Sequence, residues 1–162
     1  REFIAEEFPF IDKSIWKSAR EEAFDVEKKS DFEAFASDID PAAVALAEKN
    51  ARLAGVSDTV KVFRQDARKI SADGRRGTIV CNPPYGERLS DFSIKELYST
   101  IGTTLKHKFP GSNAWIISSS MLGFDNIGLK PTKKMQLING DLKCDFRGYT
   151  IFSGKMKEFK RR

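Results

Sequence analysis

The residues best suited to chemistry in this chain are Asn82-Pro83-Pro84-Tyr85. They follow a short apolar segment, Thr78-Ile79-Val80-Cys81, and lead into Gly86-Glu87-Arg88. Neither proline can extend a sheet ladder, because each lacks a backbone donor and has a fixed φ. The chain is forced out of a strand at a defined angle, and the carbonyls of the asparagine and the prolines stay free to accept. Asn82 adds an amide oxygen beside them, and Tyr85 adds a flat face. Such a group suits holding a planar base by its face while accepting hydrogen bonds from the base's exocyclic amino group.

The elements that must position this loop alternate along the chain. Asp12 caps a helix with Ile15, Trp16, Ala19 and Ala23 on one side. Phe32 to Ser37 reads as a strand. Asp40 then caps a second helix that opens on Pro41, a favourable pairing at a helix start. Its predicted buried stripe is Ala43, Leu46, Ala47, Asn50, Leu53 and Ala54, and Gly55 ends it. Val60 to Phe63 and Thr78 to Cys81 are short strands. After a Ser90/Asp91 cap, Ile94, Leu97, Tyr98, Ile101 and Leu105 recur at helical spacing. Ala114 to Ser118 is near-continuously apolar, as a buried strand is. Lys134–Ile138 and Leu142–Phe152 flank Asn139-Gly140, a hairpin signal. Strands alternating with helices imply a parallel sheet covered on both faces, to which the final hairpin adds an antiparallel strand.

Composition narrows the class. A chain of 162 residues supports one domain with a real core, and 40% hydrophobic with 31% charged residues describes a globular protein. The net charge of +5 permits a nucleic-acid partner without proving one. No apolar run approaches the ~18 residues of a membrane span, and Arg1-Glu2-Phe3 does not read as a signal peptide. Cys81, Cys144 and the lone His107 have no metal-ligand spacing, so no metal is expected. Free thiols fit a reducing cytoplasm. His107, between two lysines, suits a helix C-terminus. The basic residues around Arg64 to Arg76 and the tail Lys155–Arg162 read first as solvated charge.

The run Asn82 to Tyr85 resembles the signature of S-adenosylmethionine-dependent methyltransferases that act on exocyclic amino nitrogens. The longer run Cys81-Asn82-Pro83-Pro84-Tyr85-Gly86-Glu87-Arg88-Leu89 is similar to a narrower family. These are the RNA methylases that often carry an N-terminal THUMP RNA-binding domain, in particular those making N2-methylguanosine in large-subunit ribosomal RNA. The resemblance covers nearly the whole chain. It implies a Rossmann-like class I methyltransferase sheet, S-adenosylmethionine as cofactor, a ribosomal RNA partner, and Asn82, Pro83, Pro84 and Tyr85 as the catalytic loop, with Glu87 and Arg88 anchoring it or reading the base edge. One departure stands out. The family opens with a strand and a glycine-rich loop of the type Asp-Pro-x-Cys-Gly-Ser-Gly-Thr, and nothing like it is present here. The chain therefore reads as the C-terminal portion of a catalytic domain within a longer polypeptide. The absent strand would sit centrally, between the strand ending near Ser37 and the one ending near Cys81, and some other segment should cover the two edges.

The resemblance also implies a cofactor site. In open α/β sheets, ligands sit at the carboxyl ends of strands near the point where strand order reverses. Asp38, in Ser37-Asp38-Ile39-Asp40, is similar to the family's acidic motif and would accept from both ribose hydroxyls, with Ile39 packed on the adenine face. In Gln65-Asp66-Ala67, Asp66 would accept from the adenine amino group and the Ala67 amide would bond the ring. Asn82 would touch both cofactor and target. Two other readings stay open from the sequence: adenine-N6 methylation of RNA or DNA, because the loop accepts either amine, and a noncatalytic RNA-binding or scaffold fragment.

Overall fold

The computed structural model describes residues 3–28, 31–85 and 90–153. A 3-10 turn at Ile4–Glu7 precedes α1 (Lys13–Asp25), β1 (Ala34–Asp38), α2 (Pro41–Leu53), β2 (Val60–Arg64) and β3 (Thr78–Cys81). They are followed by α3 (Asp91–Lys108), β4 (Asn113–Ser118), α4 (Met121–Asn126), β5 (Lys133–Asn139) and β6 (Leu142–Thr150).

Local chemistry sets the boundaries. The Asp40 carboxylate accepts from the Ala42 N–H at 2.9 Å, and Pro41 occupies the first turn, where its missing donor is no loss. Ser90 caps α3 by accepting from the Ser93 N–H, and Lys106, His107 and Lys108 gather at the negative end of that helix dipole. β1 begins at Ala34, two residues later than expected, and it runs on to Asp38 as β2 does to Arg64, one residue beyond the expected ends, because those two residues remain in register.

β1 pairs with β2 in parallel, and β3 pairs with β4 in parallel. β6 lies antiparallel between β4 and β5, giving the order β3-β4-β6-β5. Among the described residues the terminal strands β1, β2, β3 and β5 each keep one edge without a strand partner. The segment between β2 and β3 holds the two sheets to one body. Its Ala72 N–H donates to the Lys108 carbonyl at 3.3 Å, and the Thr104 hydroxyl of α3 donates to the Arg68 carbonyl at 3.0 Å. The Arg75 guanidinium lies 4.6 Å over the Phe35 ring of β1.

The core lies where α3 and α4 close on β4 and β6. Ile101, Leu105 and Phe109 meet Ala114, Ile116, Phe124, Ile127 and Tyr149 there. Each large apolar side chain so buried contributes on the order of 1.5–3 kcal/mol. No helix among the described residues is long and apolar enough to cross a membrane.

Three expectations need correction. The predicted stripe of α2 is turned: Ala51 is buried and Ala43, Val44 and Ala47 half-buried, while Leu46, Asn50, Leu53 and Ala54 face outward. Small side chains let the helix approach the β1–β2 ladder closely, and the leucines are left on the open side. The α1 stripe is not buried either, since Ile15, Ala19 and Ala23 are exposed and Trp16 is half-buried beside Phe3. In the hairpin, Asn139 pairs with Leu142, so Gly140-Asp141 form the turn and not Asn139-Gly140. Gly140 supplies the positive φ of 61° at its first central position, as a type II′ turn requires.

Candidate active site

Asn82 to Tyr85 leave the carboxyl end of β3 as expected. Pro83 is buried and anchors the loop, Asn82 and Pro84 are exposed, and Tyr85 is half-buried. The Tyr85 hydroxyl donates to Asn82 Oδ1 at 2.5 Å, so the ring is held beside the amide oxygen three residues back. The Asn139 amide of the β5–β6 hairpin donates to the same hydroxyl at 3.5 Å, which brings the hairpin tip to the loop's edge. Behind the loop, burial pushes the Cys81 thiol up to about 11. Cys81 is therefore a packed, protonated side chain and no nucleophile. Glu87 and Arg88 lie outside the described residues.

The acidic ends of β1 and β2 lie side by side. Asp38 is the last residue of β1 and is exposed; its Oδ1 accepts from the Asp40 N–H at 2.9 Å. Its second oxygen has no partner among the described residues. The Gln65 N–H donates to the Asp38 carbonyl at 2.9 Å and ties the two strand ends together. The Ile39 side chain is 57% exposed and offers an apolar surface next to the carboxylate. Arg64 Nε donates to the Ile39 carbonyl at 3.0 Å, which fixes that peptide.

Asp66 is more committed than its sequence position suggests. Arg68 grips it with two nitrogens, Nε at 2.9 and 3.0 Å from the two oxygens and Nη2 at 2.7 Å, and the Arg68 N–H donates to Oδ1 at 2.9 Å. These Arg68 bonds hold the Asp66 carboxyl down at about 2. The Ala67 N–H makes no hydrogen bond among the described residues and stays available to an acceptor.

The structure thus brings Asn82 to Tyr85, and Asp38 to the Asp66 loop, and among the described residues no hydrogen bond joins the two groups. The residues fit an adenosyl cofactor on their own chemistry. One carboxylate oxygen is open to a diol, an apolar surface adjoins it, and a backbone donor is unpaired nearby. In the sequence Ser118 marks only a strand end and Asn139 only a hairpin, and Ser120 carries no signal at all. Tyr98 entered only as one member of an apolar stripe, and nothing in its spacing marks its hydroxyl.

A class I methyltransferase fold accounts for this arrangement: parallel strands whose carboxyl ends carry the acids and the Asn-Pro-Pro-Tyr loop, completed by an antiparallel pair. A methylase described as possible from Clostridium difficile 630 superposes with a TM-score of 0.81 at 34% identity, over 96% of this chain and 41% of that one. SMU.472, a candidate methyltransferase solved with S-adenosylhomocysteine, gives 0.82 at 30% identity, over 96% and 41%. The chain belongs to the family described as RMKL-like, methyltransferase domain, which matches residues 3–147. The ribosomal RNA large subunit methyltransferase K/L of Shewanella baltica is 34% identical over 152 residues, 90% of this chain and 21% of its own length. YpsC of Bacillus subtilis, named as a candidate RNA methyltransferase, is 33% identical over 154 residues, 92% of this chain and 39% of its length. The chain thus spans between about a fifth and two fifths of these two curated relatives.

Proposed function

We propose that this chain is the catalytic portion of an S-adenosylmethionine-dependent RNA methyltransferase that modifies an exocyclic amino group, guanine N2 of large-subunit ribosomal RNA. The observation that carries this reading is the contact between Tyr85 and Asn82 at the exit of β3, where a flat face and an amide oxygen stand together. An exocyclic amine is a poor nucleophile, because its lone pair is delocalised into the ring. Hydrogen bonds from its two N–H groups to Asn82 Oδ1 and the Pro83 carbonyl favour a pyramidal nitrogen and free that lone pair. Tyr85 stacks on the base, at about 1–3 kcal/mol for such a platform. Asp38 offers its open oxygen to the ribose diol, Ile39 faces the adenine, and Asp66 and the Ala67 N–H border the ring. Asn82 lies between target and cofactor. When bound, S-adenosylmethionine supplies a methyl group already activated on a sulfonium. The work of the protein is orientation in a site from which water is excluded.

Mass spectrometry of nucleosides from RNA treated with the full-length enzyme tests the reading. N2-methylguanosine is the expected product. N6-methyladenosine would overturn the choice of base, and an unmodified RNA in the presence of cofactor would return the noncatalytic alternative.

We further infer that these residues are the C-terminal part of a catalytic domain, and that a segment of the same polypeptide supplies a strand between β1 and β3 together with the glycine-rich loop. The open edges of both strands support this, as do Val80 of β3 at 70% and Phe35 of β1 at 48% exposure. By the same resemblance, that polypeptide carries a THUMP-type RNA-binding domain and works in the cytoplasm. The 162-residue chain alone is expected to bind S-adenosylmethionine weakly or not at all. Calorimetric titration of this chain and of an N-terminally extended one checks this, and micromolar binding by the short chain would exclude a required further strand.

A further inference from the structure

Tyr98 of α3 is fully buried, and its hydroxyl does not simply sit in the core. It lies 2.5 Å from Ser118 Oγ, at the end of β4, and 3.4 Å from the Pro84 carbonyl of the loop. Ser118 Oγ in turn accepts from the Ser120 N–H at 2.9 Å, and Ser120 caps α4 by accepting from the Gly123 N–H at 3.0 Å. The protons in this chain of groups can be counted. Ser118 Oγ accepts from Ser120, and either hydroxyl of the Tyr98–Ser118 pair can donate to the other; when Ser118 donates, the Tyr98 proton is left for a further acceptor. The single proton of Tyr98 then points to the Pro84 carbonyl. Burial pushes the Tyr98 hydroxyl up to about 12, so it remains a donor at any working pH.

The surroundings are cut to this phenol. A Cβ on Gly123 would stand 2.6 Å from the Tyr98 ring, so α4 carries glycine where the ring passes. Phe124 meets the same ring edge-on, with centroids 6.2 Å apart. A phenylalanine at position 98 would fill the space equally well and would spare the desolvation of a hydroxyl. Tyrosine therefore needs an account beyond packing, and the account lies in its two partners, one at the sheet's end and one in the loop.

The geometry points to Tyr98 as a positioning residue for methyl transfer: with Ser118 behind it, it holds the Pro84 carbonyl and so sets where Tyr85 stands over Asn82. Proline fixes the φ of Pro84, which leaves its ψ as the soft angle before Tyr85. A donor on the Pro84 carbonyl restrains that angle. This inference rests on the function proposed above, because it assigns a task to the same loop.

Tyr98→Phe in the full-length enzyme is the test, read as the single-turnover rate of methyl transfer, the substrate KM, cofactor affinity and Tm. The rate is expected to fall about tenfold, given that misplacements near 1 Å cost up to about a hundredfold. KM and cofactor affinity should hold within about twofold, because neither ligand touches Tyr98. Ser118→Ala should lower the rate by a similar factor, and the double variant should be no slower than the worse single one, since both changes break one chain of bonds. A lowered Tm with an unchanged rate, measured well below the transition, would reduce Tyr98 to a core residue and overturn the inference. If Tyr98→Phe does not fold, the smaller change at Ser118 decides by the same rate. Loss of rate in Asn82→Ala with none in Tyr98→Phe or Ser118→Ala defeats this inference alone, whereas full activity in Asn82→Ala defeats the reading of the site beneath it.

Discussion

Asn82→Ala in the full-length enzyme is expected to remove most methyl transfer while leaving the fold nearly intact and costing far less in cofactor affinity, because the bonds proposed for the Asn82 side chain are to the target amine. Asn82 is exposed, among the described residues its side chain bonds only to the Tyr85 hydroxyl, and the buried Pro83 beside it anchors the loop. Truncation at such a surface position moves stability by about 0.5 kcal/mol or less. The chemistry loses two things together. The target amine loses the acceptor that pyramidalises it, and Tyr85 loses the tether that stands its ring beside that acceptor. Removing a preorganised group of this kind costs about 2.7–4 kcal/mol, or roughly a hundredfold to a thousandfold in rate. The loss should fall on turnover more than on the substrate KM, because the bond acts chiefly in the transition state. Asn82→Asp keeps an acceptor oxygen for both partners and should retain more activity than the alanine variant. Single-turnover rates and melting temperatures for the two variants settle the matter. Transfer by Asn82→Ala within about threefold of the parent, far short of that loss, would leave Asn-Pro-Pro-Tyr as a plain turn.

The sequence was readable wherever local chemistry decides structure. Asp40 before Pro41, Ser90 before Asp91 and the two prolines after Cys81 each satisfy a backbone requirement within a few residues, and each stands where its spacing implies. The face of α2 was not readable, because the helix carries two apolar directions. Leu46 and Leu53 dominate one by size, while Ala43, Ala47 and Ala51 give the other its closeness to β1 and β2. Periodicity weighs size, and packing here follows fit. Asp66 shows a second limit. Its strand-end position marked it as a ligand candidate, yet Arg68, two residues on, engages both of its oxygens. Tyr98 shows a third. Helical spacing announces that a residue is buried, but its hydroxyl partners sit 14 and 20 residues away in sequence and converge only in the fold.

Asp38→Ala should weaken S-adenosylmethionine binding with little effect on RNA affinity. The carboxylate ends β1 with one oxygen on the Asp40 N–H and the other open, which leaves acceptor sites for the hydroxyls of a vicinal diol. Losing a charged acceptor for the ribose hydroxyls costs about 1.5–3 kcal/mol, roughly a tenfold to hundredfold loss of affinity. The fold should tolerate the change. Asp40, the residue that caps α2, keeps its own bond to the Ala42 N–H, and the Gln65 N–H still reaches the backbone carbonyl of residue 38. Asp38→Asn separates charge from shape, since it can keep the bond to the Asp40 N–H while its amide nitrogen cannot accept from ribose. Its affinity should fall between those of the parent and the alanine variant. Asp66→Ala provides the contrast. Because Arg68 already occupies both Asp66 oxygens, that carboxylate has less to give a ligand, and its removal should cost less affinity than the loss of Asp38. Calorimetric titration of the three variants, alongside RNA binding by each, orders the effects. Parental cofactor affinity in Asp38→Ala would take Asp38 out of the site and leave its strand-end position a coincidence of topology.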